Sequence, residues 1–96
     1  MNDILRIKQK KAIFRSWNRG RKETDLLLGP FADEYVMQMN GIELDNYLQF
    51  LNNHDADLFQ WLTHSENYIA LNDNSKYFVD KIISFHDINR THSNAK

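Results

Sequence analysis

Cysteine is absent from this 96-residue chain, which excludes a disulfide framework, a thiolate metal centre and a cysteine nucleophile together. Proline occurs once and glycine three times, and no stretch alternates apolar and polar residues over the length of a strand, so the chain reads as all-helical. The three glycines are isolated, which leaves no phosphate-binding loop. No apolar run approaches the ~18 residues of a membrane-spanning helix. The opening residues lack the apolar stretch of a secretory signal and carry no mitochondrial transit segment, so the cytoplasm is the expected compartment.

What is present suffices for a fold. Hydrophobic residues make up 42% of the chain and aromatics 12%, more ring area than a disordered segment carries. The length suits a single domain over 1–96, with an ordered core over about 3–89 and a frayed tail at 91–96. Net charge is −1, but residues 1–22 hold eight Lys/Arg against Asp3 alone, and residues 23–96 hold four against twelve Asp/Glu. Such a basic head suits nucleic acid, an anionic membrane or an acidic protein surface.

Five helices are expected. The first starts at Asn2 or Asp3 and runs to about Trp17, with Ile4, Ile7, Phe14 and Trp17 at helical spacing and Gly20 ending it. The second, from Lys22, carries Leu26, Leu27, Phe31, Tyr35 and Met39, with a kink or split at Gly29-Pro30. Asn40 and Glu43 have the spacing of a capping box for a third, whose stripe is Leu44, Tyr47, Leu48 and Leu51. Asp55 reads as the cap of a fourth, Asp57 to about His64, with Leu58, Trp61 and Leu62 inward. Residues Ser65 to Ser75 are mostly connection, pinned by Tyr68, Ile69 and Leu71. The last helix is Lys76 to Ile88, with Phe78, Ile82 and Phe85 on one face.

No constellation reads as an active site. His54, His64, His86 and His92 lie on different elements with no ligand pair at helical spacing, so no metal site is expected. Ser16, Ser65, Ser75 and Ser84 have no nucleophile-elbow context. Lys8, Lys11, Arg15, Arg19 and Lys22 recur at steps of three or four, with no acidic residue between positions 4 and 22. A small basic-faced helical nucleic-acid-binding protein is therefore one reading. The acidic remainder would be repelled by phosphates, so an acidic protein surface fits the stripe better. Charges crowd most densely at Arg19-Gly20-Arg21-Lys22-Glu23-Thr24-Asp25, where Gly20 suits a helix C-cap and the carboxylates suit the start of the next helix. Glu23 and Asp25 stand two apart, so at least one of them points outward.

Around these residues, Arg15 to Phe31 resembles the R-G-x-x-E-x-D signature of the SdhE-type FAD assembly factors, the flavinators of succinate dehydrogenase. Asp55-Ala56-Asp57-Leu58-Phe59-Gln60-Trp61-Leu62 resembles that family's D-x-D-L-x-x-W-L segment. Asn18 stands where many members have a basic residue or histidine, and Ala56 where relatives often have proline. The resemblance implies a small single-domain five-helix bundle that is not an enzyme. It implies docking on the flavoprotein subunit of succinate dehydrogenase, or of fumarate reductase, to promote covalent FAD attachment to a client histidine. Arg19, Gly20 and Glu23, with Asp25 and Arg15 beside them, would engage the client. The flavin would belong to the client, the factor having no cofactor of its own, and the free factor is expected to be a monomer.

Overall fold

A computed structural model describes residues 2–64 and 71–94, with side chains from Asp3 to His64 and from Leu71 to Ile88. Five α-helices follow in order: α1 (Asn2–Trp17), α2 (Lys22–Tyr35), α3 (Gly41–Phe50), α4 (Asp55–Thr63) and α5 (Asp73–Asn94), with one 3₁₀ turn at Val36–Gln38. No strand occurs among the described residues. α1 packs on α2 and α3, while α2, α3 and α4 all pack on α5. Of the three residues expected to pin the last connection, Tyr68 and Ile69 lie outside the described residues, and Leu71 packs half-buried on the core.

Aromatic rings organise the interior. Tyr47 of α3 is fully buried, with ring centroids of Phe78, Phe31 and Phe50 at 5.2, 5.7 and 6.2 Å. Its hydroxyl lies 2.7 Å from Ser16 Oγ, which in turn lies 2.8 Å from the Ala12 carbonyl. Ser16 donates to that carbonyl, so Tyr47 donates to Ser16 and neither buried oxygen is orphaned. Burial pushes the Tyr47 phenol far above its ordinary value, outweighing the Ser16 hydrogen bond and the pull of Arg19 and Arg15.

α1 departs from its expected face. Ile4, Ile7 and Phe14 are 68, 64 and 66% exposed, and the side turned to the bundle buries Gln9, Ala12 and Ser16 and packs the half-buried Leu5 and Ile13 against the core. Ala12 and Ser16, the small residues at the centre of that side, let α1 lie close to α2 and α3.

α2 is neither split nor interrupted at Gly29-Pro30, and the break falls instead at the 3₁₀ turn. Proline deletes one helical hydrogen bond, but Leu28, Gly29, Phe31 and Ala32 around it are all buried and hold the turn. Gly29 is there for Trp17, because a Cβ at position 29 would overlap the indole ring. The indole N–H then reaches Asp33 Oδ1 at 3.1 Å.

The Asn40 side chain caps α3 by accepting from Glu43 N–H at 2.8 Å. Glu43 does not reach back. Its carboxylate accepts from the Tyr77 hydroxyl at 2.7 Å and lies 3.4 Å from Lys81 Nζ, joining α3 to α5. Burial pulls the Lys81 ammonium down, but the Tyr77 hydroxyl and the Glu43 carboxylate outweigh it and hold Lys81 above the ordinary lysine value.

Gly29→Ala tests the seat of the indole. Alanine in a helix gains about 1 kcal/mol over glycine by propensity, but overpacking typically costs about 1–3 kcal/mol. The variant should therefore unfold at lower urea with an unchanged m-value, and a variant more stable than the parent would show that Trp17 does not rest on this backbone.

Candidate functional site

The turn from α1 to α2 meets the corner between α3 and α4, and one side chain makes the joint. Arg19 Nε donates to Asp55 Oδ1 at 2.6 Å, Nη1 to the Leu51 carbonyl at 2.7 Å, and Nη2 to the Asn53 carbonyl at 2.8 Å. One helical turn earlier, Arg15 Nη2 donates to Asn52 Oδ1 at 2.8 Å and to the Leu51 carbonyl at 3.2 Å. Two guanidinium groups thus share the Leu51 carbonyl at the negative end of α3, where cations are favoured, and Arg19 also satisfies the Asn53 carbonyl of the turn that follows. Further up α1, Lys8 pairs with Asp45 of α3 at 2.7 Å. Three of the five basic residues that form one stripe in the sequence are therefore engaged, Lys8 by α3 and Arg15 and Arg19 by the α3–α4 corner, while Lys11 and Lys22 remain exposed. That arrangement removes the continuous cationic edge on which a nucleic-acid reading depended.

Gly20 does not take a left-handed conformation, because no residue of the described backbone has positive φ. The C-cap geometry expected from the sequence is absent. Its lack of a side chain has a different cause: a Cβ would stand 2.9 Å from Asp55 Oδ2, tighter than carbon and oxygen normally approach. Since Arg19 holds that carboxylate, it has little freedom to swing aside. Asp55 is therefore a site residue that the sequence reading took for a helix cap. His54 occupies the cap position, and α4 begins at Asp55 itself. The signal that pointed to it was its place in the second sequence block, whose first residue lies against the Arg-Gly of the first.

The two carboxylates after the glycine divide their roles. Asp25, half-buried, accepts the Arg19 backbone N–H at 2.6 Å and closes the turn. Glu23 is exposed and has no hydrogen bond or ion pair among the described residues. Between them Thr24 is fully buried, its hydroxyl without a partner among the described residues. Arg21 lies over the Phe59 ring of α4 at 6.0 Å, a second tie between the blocks. The outcome is a rigid internal lattice of Arg15, Arg19, Asp25 and Asp55, with Gly20, Arg21, Lys22 and Glu23 exposed above it.

The histidines with described side chains do not converge. His86 Nε2 lies 2.7 Å from the Leu27 carbonyl and so carries its proton there, His64 Nδ1 lies 3.0 Å from Thr63 Oγ1, and the His92 side chain lies outside the described residues. No group of three or more metal-ligating side chains occurs among the described residues, and no described helix is long and apolar enough to cross a membrane.

A family model described as flavinator of succinate dehydrogenase matches residues 10–86. The chain is 44% identical over 62 residues to succinate dehydrogenase assembly factor 2, mitochondrial, of Saccharomyces cerevisiae (strain ATCC 204508 / S288c), covering 65% of this chain and 38% of that protein. The same-named protein of Scheffersomyces stipitis is 35% identical over 74 residues, covering 77% of this chain and 50% of the relative. That of Kluyveromyces lactis is 44% identical over 61 residues, 64% and 36%. The matched segments thus span half or less of these relatives' own length.

The lattice and the surface above it are separable by unfolding. Losing one partner of a buried, hydrogen-bonded ion pair typically costs about 3–5 kcal/mol, and partial exposure reduces that, so Arg19→Ala is expected to lose about 2–4 kcal/mol. Gly20→Ala, which must displace Asp55, should lose about 1 kcal/mol. Glu23→Lys should stay within about 0.5 kcal/mol of the parent. Urea titration of the three variants checks the order, and equal losses for Arg19→Ala and Glu23→Lys would contradict the clamp.

Proposed function

This chain belongs to the flavinator of succinate dehydrogenase family, and we propose that it is an assembly factor that docks on the flavoprotein subunit of succinate dehydrogenase and promotes covalent attachment of FAD there. The flavoprotein subunit of fumarate reductase is a second client of the same chemistry. The observation that carries the reading is the surface at the start of α2. Glu23 and the bare Gly20 backbone stand exposed and unpaired, on a turn made rigid by Arg19, Asp25 and Asp55. An exposed carboxylate with no internal duty, on a support that loses little freedom when bound, suits a contact with another chain.

This geometry supports a division of roles within the signature. Glu23 and Gly20 touch the client, the glycine letting its backbone approach. Arg19, Asp25 and Arg15 act chiefly by holding the turn. The bond to the flavin is made within the client, between its own histidine and its own FAD. The factor favours the client conformation in which the two are aligned, and binding energy is all it needs to supply. It acts as a chaperone without a cofactor or reaction of its own, free as a monomer, in the cytoplasm. Its two oppositely charged segments orient the encounter and speed association more than they tighten it.

Reconstitution tests the proposal. The flavoprotein subunit, purified without covalent flavin, is incubated with FAD and the factor, and in-gel flavin fluorescence after denaturation reports the bond. Glu23→Lys should reduce the rate at least about tenfold, the scale of one interface contact of roughly 1.4 kcal/mol, while its melting temperature barely moves. Full activity in a folded Glu23→Lys protein would remove Glu23 from the docking surface.

A further inference from the structure

Both sides of α1 carry apolar residues, yet only one of them is covered. Positions 4, 7, 11 and 14, at steps of three and four, form a single line along the helix facing away from Gln9, Ala12 and Ser16. Ile4, Ile7 and Phe14 on that line are each about two-thirds exposed, and Lys11 stands between the last two. Arg6, Lys10 and Lys11 are exposed and have no polar partner among the described residues, unlike Lys8, which pairs with Asp45, and Arg15, which bonds Leu51 and Asn52. The bundle therefore leaves an apolar stripe with bare cations on and beside it, and nothing in the fold requires either.

We infer that this outer face of α1 is a second docking surface, which seats in an apolar cleft rimmed with carboxylates on the client flavoprotein. The inference rests on the function proposed above. Charge selects the kind of partner. A cation in the middle of an apolar stripe, at Lys11, needs an anion opposite it once water is excluded. A lipid surface presents anionic charge wherever it touches, and Asp3 at the head of the helix and Asp33, bonded to Trp17 at its foot, would meet that charge with the wrong sign. A protein cleft sets carboxylates only against Arg6, Lys10 and Lys11. Ile4, Ile7 and Phe14 share one face of the helix, as the apolar anchors of helix-in-groove recognition do, with Lys11 set among them.

Binding of the full chain to the flavoprotein subunit, measured by calorimetry, tests this with two variants, Ile7→Ser/Phe14→Ser and Lys10→Glu/Lys11→Glu. Each should weaken the dissociation constant at least about tenfold while leaving the melting temperature unchanged, and the charge variant should flatten the salt dependence of binding. Glu23→Lys serves as the parallel probe of the first surface. If Glu23→Lys weakens binding and both α1 variants bind like the parent, the second surface is overturned and the proposed function stands. If the α1 variants weaken binding and Glu23→Lys does not, the second surface stands and the Gly20–Glu23 surface falls. If the parent does not bind the flavoprotein, both are overturned. Cosedimentation with phosphatidylglycerol/phosphatidylcholine vesicles, or parent self-association, abolished by the α1 variants while flavoprotein binding is unaffected, would overturn it in favour of a membrane or a second copy of this chain.

Discussion

The Arg19 guanidinium is the joint on which the arrangement of this bundle turns. Its three donating nitrogens go to three different acceptors within Leu51 to Asp55, tying the end of α1 to the corner between α3 and α4. Lysine has no planar fork to do this and would leave at least one carbonyl unanswered. Asp55, fixed by that pair, leaves no room for a side chain at position 20, and Asp25 then closes the turn over the Arg19 amide. Arginine, glycine and aspartate thus form one steric and electrostatic unit, and Glu23 is what the unit displays.

A second contact complements the first. Trp17 lies flat on α2 where Gly29 has no side chain, so the two ends of the α1–α2 turn are held by different physics. The indole side rests chiefly on shape, with one hydrogen bond to Asp33 at its edge, and the guanidinium side is polar and directional. Tyr47 links both to the interior, its ring among Phe31, Phe50 and Phe78 and its hydroxyl on Ser16, one residue before Trp17. Burial and hydrogen bonding therefore agree on one register for α1 against α3.

The helices were legible in the sequence wherever one face alone was apolar. Leu44, Tyr47 and Leu51 are buried as their spacing required, and Leu58, Leu62, Phe78 and Ile82 likewise. That one of Glu23 and Asp25 must point outward also followed from spacing, and it is Glu23. α1 carries apolar residues on two sides, and periodicity alone does not choose between Ile4, Ile7 and Phe14, which lie outside, and Leu5, Ala12 and Ile13, which pack within. The α2 proline suggested a break that tertiary burial prevents. Glu43 looked like a capping-box partner and instead bridges to α5, a choice made by Tyr77 and Lys81, more than thirty residues away. Asp55 was hidden for the same reason: local sequence offers a helix start as a sufficient account of an aspartate, and its true partner lies thirty-six residues earlier.

That separation has a consequence for how the displayed turn moves. A surface loop ordinarily opens alone, exchanging its amide hydrogens at little free-energy cost. Here the amide of Arg19 is covered by Asp25, and the side chain of the same residue is bolted to the far corner. The turn cannot lift without breaking the Arg19 contacts to the α3–α4 corner, so its opening costs more than that of a loop held by its own backbone alone. The shape of the Gly20–Glu23 turn therefore depends on residues more than thirty positions away, and it is set only once α1 has met the α3–α4 corner.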